Sequence, residues 1–173
     1  MPLRILLVED HEGNAVTMTA MLNALGYPRV SRVRDAEGAI NALKEGAYDL
    51  LFCDYLLGTV SGLTLVKMIR RHEGLANPMV PIILVTAHAE GALVSEAMGA
   101  GCNDVLVKPV LPEALLRCLD QVLNRPRAFV KSKQYTGPDR RRRKTLDNPG
   151  RRDEDQTGQR KLGRNPWITP PKT

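Results

Sequence analysis

No stretch of this sequence is long and apolar enough for a membrane span or a secretory leader. Only Met1 and Pro2 precede the first apolar run, Leu3 to Val8. Neither membrane insertion nor export is expected, and a cytoplasmic location is. Cysteine is nearly absent. Cys53, Cys102 and Cys118 stand far apart inside apolar segments, without the close spacing of a metal site or redox pair, and His11, His72 and His88 form no ligand-like repeat with them. They read as reduced core thiols. Aromatic side chains make up only 4% of the chain. Length for two full domains is lacking too, since 173 residues with 43% apolar content suffice for one domain of ordinary size and a tail.

The net charge of +6 is unevenly spread. Residues 1–124 hold ten Lys/Arg against fourteen Asp/Glu, whereas residues 125–173 hold fifteen against five. The basic character belongs to the tail, so any case for nucleic acid concerns the tail alone. The expected organisation is one domain over 1–124, followed by a basic Pro/Gly/Arg-rich arm over 125–173.

Within the first part, short apolar runs alternate five times with helix-patterned stretches. The strand candidates are Leu3 to Val8, Arg29 to Val33, Leu50 to Cys53, Val80 to Thr86 and Asp104 to Val107. Three of them are almost wholly apolar, as strands covered on both faces must be. Helices are expected at Asn14 to Leu25, Ala36 to Glu45, Gly62 to Arg71, Glu90 to Met98 and Pro112 to Leu123. Stripes such as Met18, Met21, Leu22 and Leu25 recur at helical spacing and read as core rather than as a cofactor box. Gly26, Gly46, Gly74 and Gly99 stand where helix ends are expected. The fold class that follows is α/β, a doubly wound parallel sheet. Ligands of such sheets bind beyond the carboxyl ends of the strands, where the winding reverses.

At those strand ends stand Glu9 and Asp10, Asp54, Thr86, and Lys108-Pro109. Three converging carboxylates repel one another unless a cation sits among them. Oxygen-only donors favour a hard ion, with Mg²⁺ the usual one. Lys108 adds a fixed positive charge and Thr86 a hydroxyl donor. Together these make a pocket for phosphoryl oxygens, with Asp54 as the carboxylate that would attack phosphorus. Each residue alone has a plainer reading: a cap or turn aspartate, a surface Lys-Pro turn, a threonine that ends a strand. Order and spacing taken jointly favour the pocket.

The series Glu9-Asp10, Asp54, Thr86 and Lys108-Pro109 closely resembles the receiver domain of two-component response regulators. Gly62, eight residues after Asp54, and the segment from Gly99 to Asp104 reinforce the likeness, which covers Leu3 to Leu123. It implies a flavodoxin-like five-stranded sheet of order 2-1-3-4-5. It also implies that Asp54 is the phosphoacceptor, supplied by a sensor histidine kinase or phosphotransfer protein. Asp10 would be a direct Mg²⁺ ligand, Glu9 would act through water, and the Leu56 carbonyl would complete the protein's share. Thr86, the Ala87 amide and Lys108 would hold phosphoryl oxygens, and the Lys108-Pro109 bond would be cis. Such a domain signals and is not an enzyme in the ordinary sense.

Two departures stand out. Val105 lies three residues before Lys108, where the family usually carries Tyr or Phe as a switch, and Gly58 replaces a frequent proline four residues after the phosphoacceptor. The usual threonine-aromatic coupling cannot operate, and the loop at Gly58 is expected to be looser. His11 and His88 lie near the pocket and read as solvent-facing loop residues.

Beyond Arg125-Pro126 the periodicity stops, and basic runs such as Arg140-Arg141-Arg142-Arg143-Lys144 follow Gly-Pro pairs. An irregular, extended arm is expected. Trp167 and Ile168 could anchor it on a receiver surface, its own or a second subunit's, and reciprocal exchange would give a homodimer. Leu93, Val94 and Val105 are expected to offer an apolar contact face. The alternative function is receiver-controlled nucleic-acid binding through the arginine runs. Against it, the tail lacks a helix-turn-helix pattern, zinc spacing and interleaved aromatics. Stand-alone receivers with C-terminal extensions that this chain resembles include some that serve phytochrome-type sensor kinases.

Overall fold

The computed structural model describes residues 2–88, 90–132 and 135–139. In chain order the elements are β1 (Ile5–Val8), α1 (Glu12–Ala24), β2 (Val30–Val33), α2 (Ala36–Glu45), β3 (Leu50–Asp54), β4 (Leu56–Leu57), β5 (Val60–Ser61) and α3 (Gly62–Arg71). Then come β6 (Ile82–Thr86), α4 (Gly91–Ala100), β7 (Asp104–Val107), α5 (Pro112–Leu119), a π-helical turn over Asp120–Asn124, β8 (Phe129–Lys131) and β9 (Thr136–Pro138). The five long strands pair in parallel in the order β2-β1-β3-β6-β7, which is the expected 2-1-3-4-5 when the short strands are set aside.

Every residue of β1, β3 and β6 is buried, and this is why these three read as unbroken apolar runs. The helices begin where local chemistry permits. The Asp35 carboxylate accepts from Gly38 N at 2.7 Å to cap α2, and Ser61 Oγ accepts from Thr64 N at 3.2 Å to cap α3. Pro112 opens α5. By contrast α4 has no side-chain cap and buries only Ala97 and Ala100, and its left-handed cap residue is Gly101 rather than Gly99. Cys53, Cys102 and Cys118 are buried free thiols.

Two features were not legible beforehand. Gly58, with φ of 64°, turns the chain between β4 and β5, so the proline substitute closes a short hairpin instead of merely loosening the loop. The second lies past residue 124, where an irregular arm was expected. There β8 and β9 form an antiparallel hairpin, and the compact unit continues to Asp139, the last described residue. Three-residue strands, one of them Thr-Gly-Pro, carry no strand signal of their own. The hairpin is held by what it covers.

It covers Arg70, which is only 5% exposed. The guanidinium donates to Gly101 O at 3.1 and 2.9 Å and to Pro78 O at 2.7 Å, and the Phe129 ring lies 5.1 Å from its carbon. Burial lowers the Arg70 pKa to about 10, so the charge persists at neutral pH. The Tyr135 hydroxyl lies 3.2 Å from the Met98 carbonyl at the end of α4. This first part of the arm therefore docks on its own receiver. The expected anchor at Trp167 and Ile168, and the rest of the arm from residue 140, lie outside the described residues.

Candidate active site

The carboxyl ends of β1, β3, β6 and β7 open onto a cleft of about 790 Å³. Its walls include Glu9, Asp10, Asp54, Thr86, Ala87 and Lys108, so the sheet assembles the side chains picked from the sequence. Leu56 lines it too, 66% exposed, with its amide 3.4 Å from Asp54 Oδ1. His11 and His88 stand at the margin; the His11 ring caps α1 by accepting from Asn14 N at 3.4 Å.

Asp54 is placed by an unusually close packing. Gly62 N donates to Tyr55 O at 2.7 Å, and a Cβ on Gly62 would come within 2.2 Å of the Asp54 carbonyl oxygen. Only glycine lets α3 start this close to the strand end. Asp54 is 7% exposed and Glu9 4%.

Lys108 Nζ bridges the two acids, donating to Asp54 Oδ2 at 2.6 Å and to Glu9 Oε2 at 2.9 Å. Burial pushes the Asp54 carboxyl above its ordinary pKa, and Glu9 adds to this, against the hydrogen bond from Lys108. Burial alone would lower the Lys108 ammonium, but its bonds to Asp54 and Glu9 prevail and raise it. The Lys108-Pro109 peptide is cis. The Thr86 hydroxyl donates to His88 O at 3.1 Å and accepts from His88 N at 3.3 Å, turned toward the loop that follows β6.

Glu9, Asp10 and Asp54 each bring one carboxylate oxygen within 4.8 Å of the others. All are hard oxygen donors, and three carboxylates face one ammonium, an excess of negative charge that suits a divalent ion such as Mg²⁺. Two contributors were not found from sequence. Asn14 Nδ2 donates to Glu9 Oε1 at 3.2 Å, and Arg32 reaches the backbone of the acidic pair from β2. Neither belongs to a local motif, so only the fold could reveal them.

The contact face expected around Leu93, Val94 and Val105 is poorer than supposed. Leu93 and Val105 pack half-buried against the core, while Val107 on β7, Leu111 just before α5 and Leu116 on α5 are exposed apolar side chains.

The family model of the response regulator receiver domain matches residues 5–120. Over 123 residues the chain is 30% identical to the chemotaxis protein CheY-3 of Vibrio cholerae serotype O1, covering 71% of this chain and 93% of the relative. It is 40% identical over 126 residues to the hybrid signal transduction histidine kinase G of Dictyostelium discoideum, a match that spans 71% of this chain but only 4% of that protein. Among solved structures, the receiver domain of the sensor histidine kinase PA1611 from Pseudomonas aeruginosa PAO1 is 36% identical with a TM-score of 0.62. The match covers 70% of this chain and 97% of that one, which is described with a magnesium ion coordinated in its active-site cleft. The chain belongs to the response regulator receiver family, the signalling module of two-component systems that a histidine kinase phosphorylates on aspartate. The hairpin and the arm lie beyond the matched residues.

Proposed function

We propose that this chain is a cytoplasmic response regulator that takes a phosphoryl group on Asp54 and signals through protein contacts. The observation that carries this is Lys108 Nζ set between the Asp54 and Glu9 carboxylates, in a cleft that also contains Asp10, Thr86 and Ala87.

An Asp54 oxygen attacks the phosphorus of a phosphohistidine on a kinase or phosphotransfer protein. The new O–P bond forms as the N–P bond breaks, and the electron pair returns to the imidazole. Asp10, Asp54 and the Leu56 carbonyl, with Glu9 through water, would hold Mg²⁺, which when bound would supply positive charge to offset that on the phosphoryl oxygens. Lys108 exchanges part of its bond to Asp54 for one to a phosphoryl oxygen. The Thr86 hydroxyl leaves the His88 carbonyl for another, and the Ala87 amide supplies a further donor. Since Val105 has no ring to rotate, the change passes to the β6–α4 loop through Thr86 and His88.

We further propose two parts, a receiver and a basic arm, with the arm mediating homodimerisation. Fifteen basic against five acidic residues in 125–173, opposite in sign to the net charge of residues 1–124, support such a contact. The same arginine runs support the second reading, nucleic-acid binding, which steeply salt-dependent DNA retention would favour.

The deciding experiment is intact-mass analysis of the full chain after incubation with Mg²⁺ and acetyl phosphate. A gain of one phosphoryl group, absent in Asp54→Asn, is expected. No gain, or a gain that persists in the variant, overturns the assignment.

A further inference from the structure

We infer that Arg32 is a positioning residue for the acidic pair, setting Glu9 and Asp10 for the divalent ion; this rests on the Mg²⁺ site proposed above. Arg32 stands on the edge strand β2, paired with Leu7 of β1, and its side chain is 19% exposed. It crosses the end of β1 and divides its donors among three acceptors. Nε donates to Glu9 O at 3.1 Å, one terminal nitrogen donates to Asp10 O at 3.1 Å, and the other pairs with the Glu12 carboxylate.

Consecutive peptide carbonyls tied to one planar group cannot rotate independently. Their orientation sets the Cα–Cβ directions of Glu9 and Asp10, the two acids that meet Asp54 in the cleft. Glu9 is further constrained, because its Oε1 accepts from His11 N and Asn14 Nδ2, both at 3.2 Å. Asp10 is exposed and has no such side-chain ties among the described contacts, so the hold on its backbone matters more. Glu12 fixes the guanidinium in turn and is itself shared with Arg34 at 3.1 Å. The guanidinium on their carbonyls is also cationic and so offsets part of the repulsion that crowds the acids.

A lysine could supply the charge but not the fork, since its ammonium is a point donor on a flexible stem. Outer partners that orient ligands are typically worth about 10–100-fold in metal affinity. The effect of Arg32 should therefore appear in Mg²⁺ affinity, not in the rate at saturating Mg²⁺.

The test is an NMR titration of the full chain with Mg²⁺ alone, for the parent, Arg32→Met and Arg32→Lys, with thermal melts run beside it. Arg32→Met keeps the aliphatic stem and should bind Mg²⁺ at least about tenfold more weakly; Arg32→Lys should fall between it and the parent. The acetyl phosphate rate of Arg32→Met should recover at high Mg²⁺. An Arg32→Met affinity within twofold of the parent overturns the inference, as does full restoration by Arg32→Lys, which would reduce the role to charge. A parent that takes up neither Mg²⁺ nor phosphoryl overturns the proposed function instead. Should Arg32→Met not fold, Arg32→Lys still decides: parent-like affinity refutes the fork, and a loss supports it.

Discussion

Gly137 of the C-terminal hairpin lies against Gly101 at the end of α4, so close that a Cβ on Gly137 would stand 2.8 Å from the Gly101 Cα and 2.5 Å from the Tyr135 hydroxyl. A Cβ on Gly101 would in turn stand 2.9 Å from Thr136 O, so both positions suit glycine. The hairpin is thus fitted to this one place on the receiver, over the buried Arg70 and beyond the reach of the family match at residue 120.

A chain ending at residue 124 should be less stable than one ending at residue 139. It loses the Phe129 ring over Arg70 and exposes the ends of α3 and α4. Covering an aromatic side chain and a cation–π contact together amount to at least about 2 kcal/mol. Urea unfolding of the two truncated chains measures the difference; coincident midpoints would show the hairpin to be a passive appendage.

Gly137→Ala should release the hairpin without unfolding the sheet, at about 1–3 kcal/mol for the overpacked contact. Hydrogen exchange would rise at Val130, Ser132 and Asp139 while the amides of β1, β3 and β6 stay protected. Unchanged protection of the hairpin would mean that the Gly101 contact relaxes easily.

The pH dependence of Asp54→Asn follows from the raised Asp54 pKa. Over the window between its unfolded and folded values the folded chain binds more protons, so ionised Asp54 disfavours folding once pH exceeds the folded value. Asp54→Asn should therefore be more stable at pH 7, by about 1 kcal/mol. The advantage should shrink as pH falls into the carboxylate range and Asp54 of the parent protonates. Lys108 runs the other way: its raised pKa contributes stability that lasts through neutral pH and is lost only as pH climbs through the folded value. Melting curves from acid to neutral pH for parent and Asp54→Asn check the first sign, and a gap that widens on acidification would contradict it.

Lys108→Ala removes the donor that bridges both acids, and should slow phosphoryl uptake from acetyl phosphate about 100-fold. Time-resolved intact mass reads this directly. A rate near the parent's would show that the ammonium serves packing rather than phosphoryl transfer.

For dimerisation through the arm, the informative comparison is the full chain against one ending at residue 139, because the shorter cut at 124 also uncovers Arg70. Sedimentation should show a dimer for the first and a monomer for the second. Equal sizes would remove the arm from the assembly.

Much of the site was readable before any coordinates, since strand ends in an alternating α/β chain must gather on one rim. Glu9, Asp10, Asp54, Thr86 and Lys108 are each the residue at, or just past, the end of an apolar run. Gly62 stood out only by likeness, and its reason is the 2.2 Å approach that a Cβ would make to Asp54 O. Element limits shifted by a residue or two, as at α1 and α4, because caps such as the His11 ring and the left-handed Gly101 act through local geometry that composition does not display.

Periodicity and spacing alone thus determined a parallel sheet, the helices and the convergence of three carboxylates with a lysine, because each is enforced by local chain pattern and by the crossover rule for parallel strands, while the strand order followed from the family likeness. Tertiary structure alone decided that Arg32 and Asn14 hold the acidic pair, that Thr86 faces His88, and that β8 and β9 fold over Arg70. These depend on side chains that meet across long separations, where the energy comes from fit against a distant surface and leaves no periodic trace in the chain.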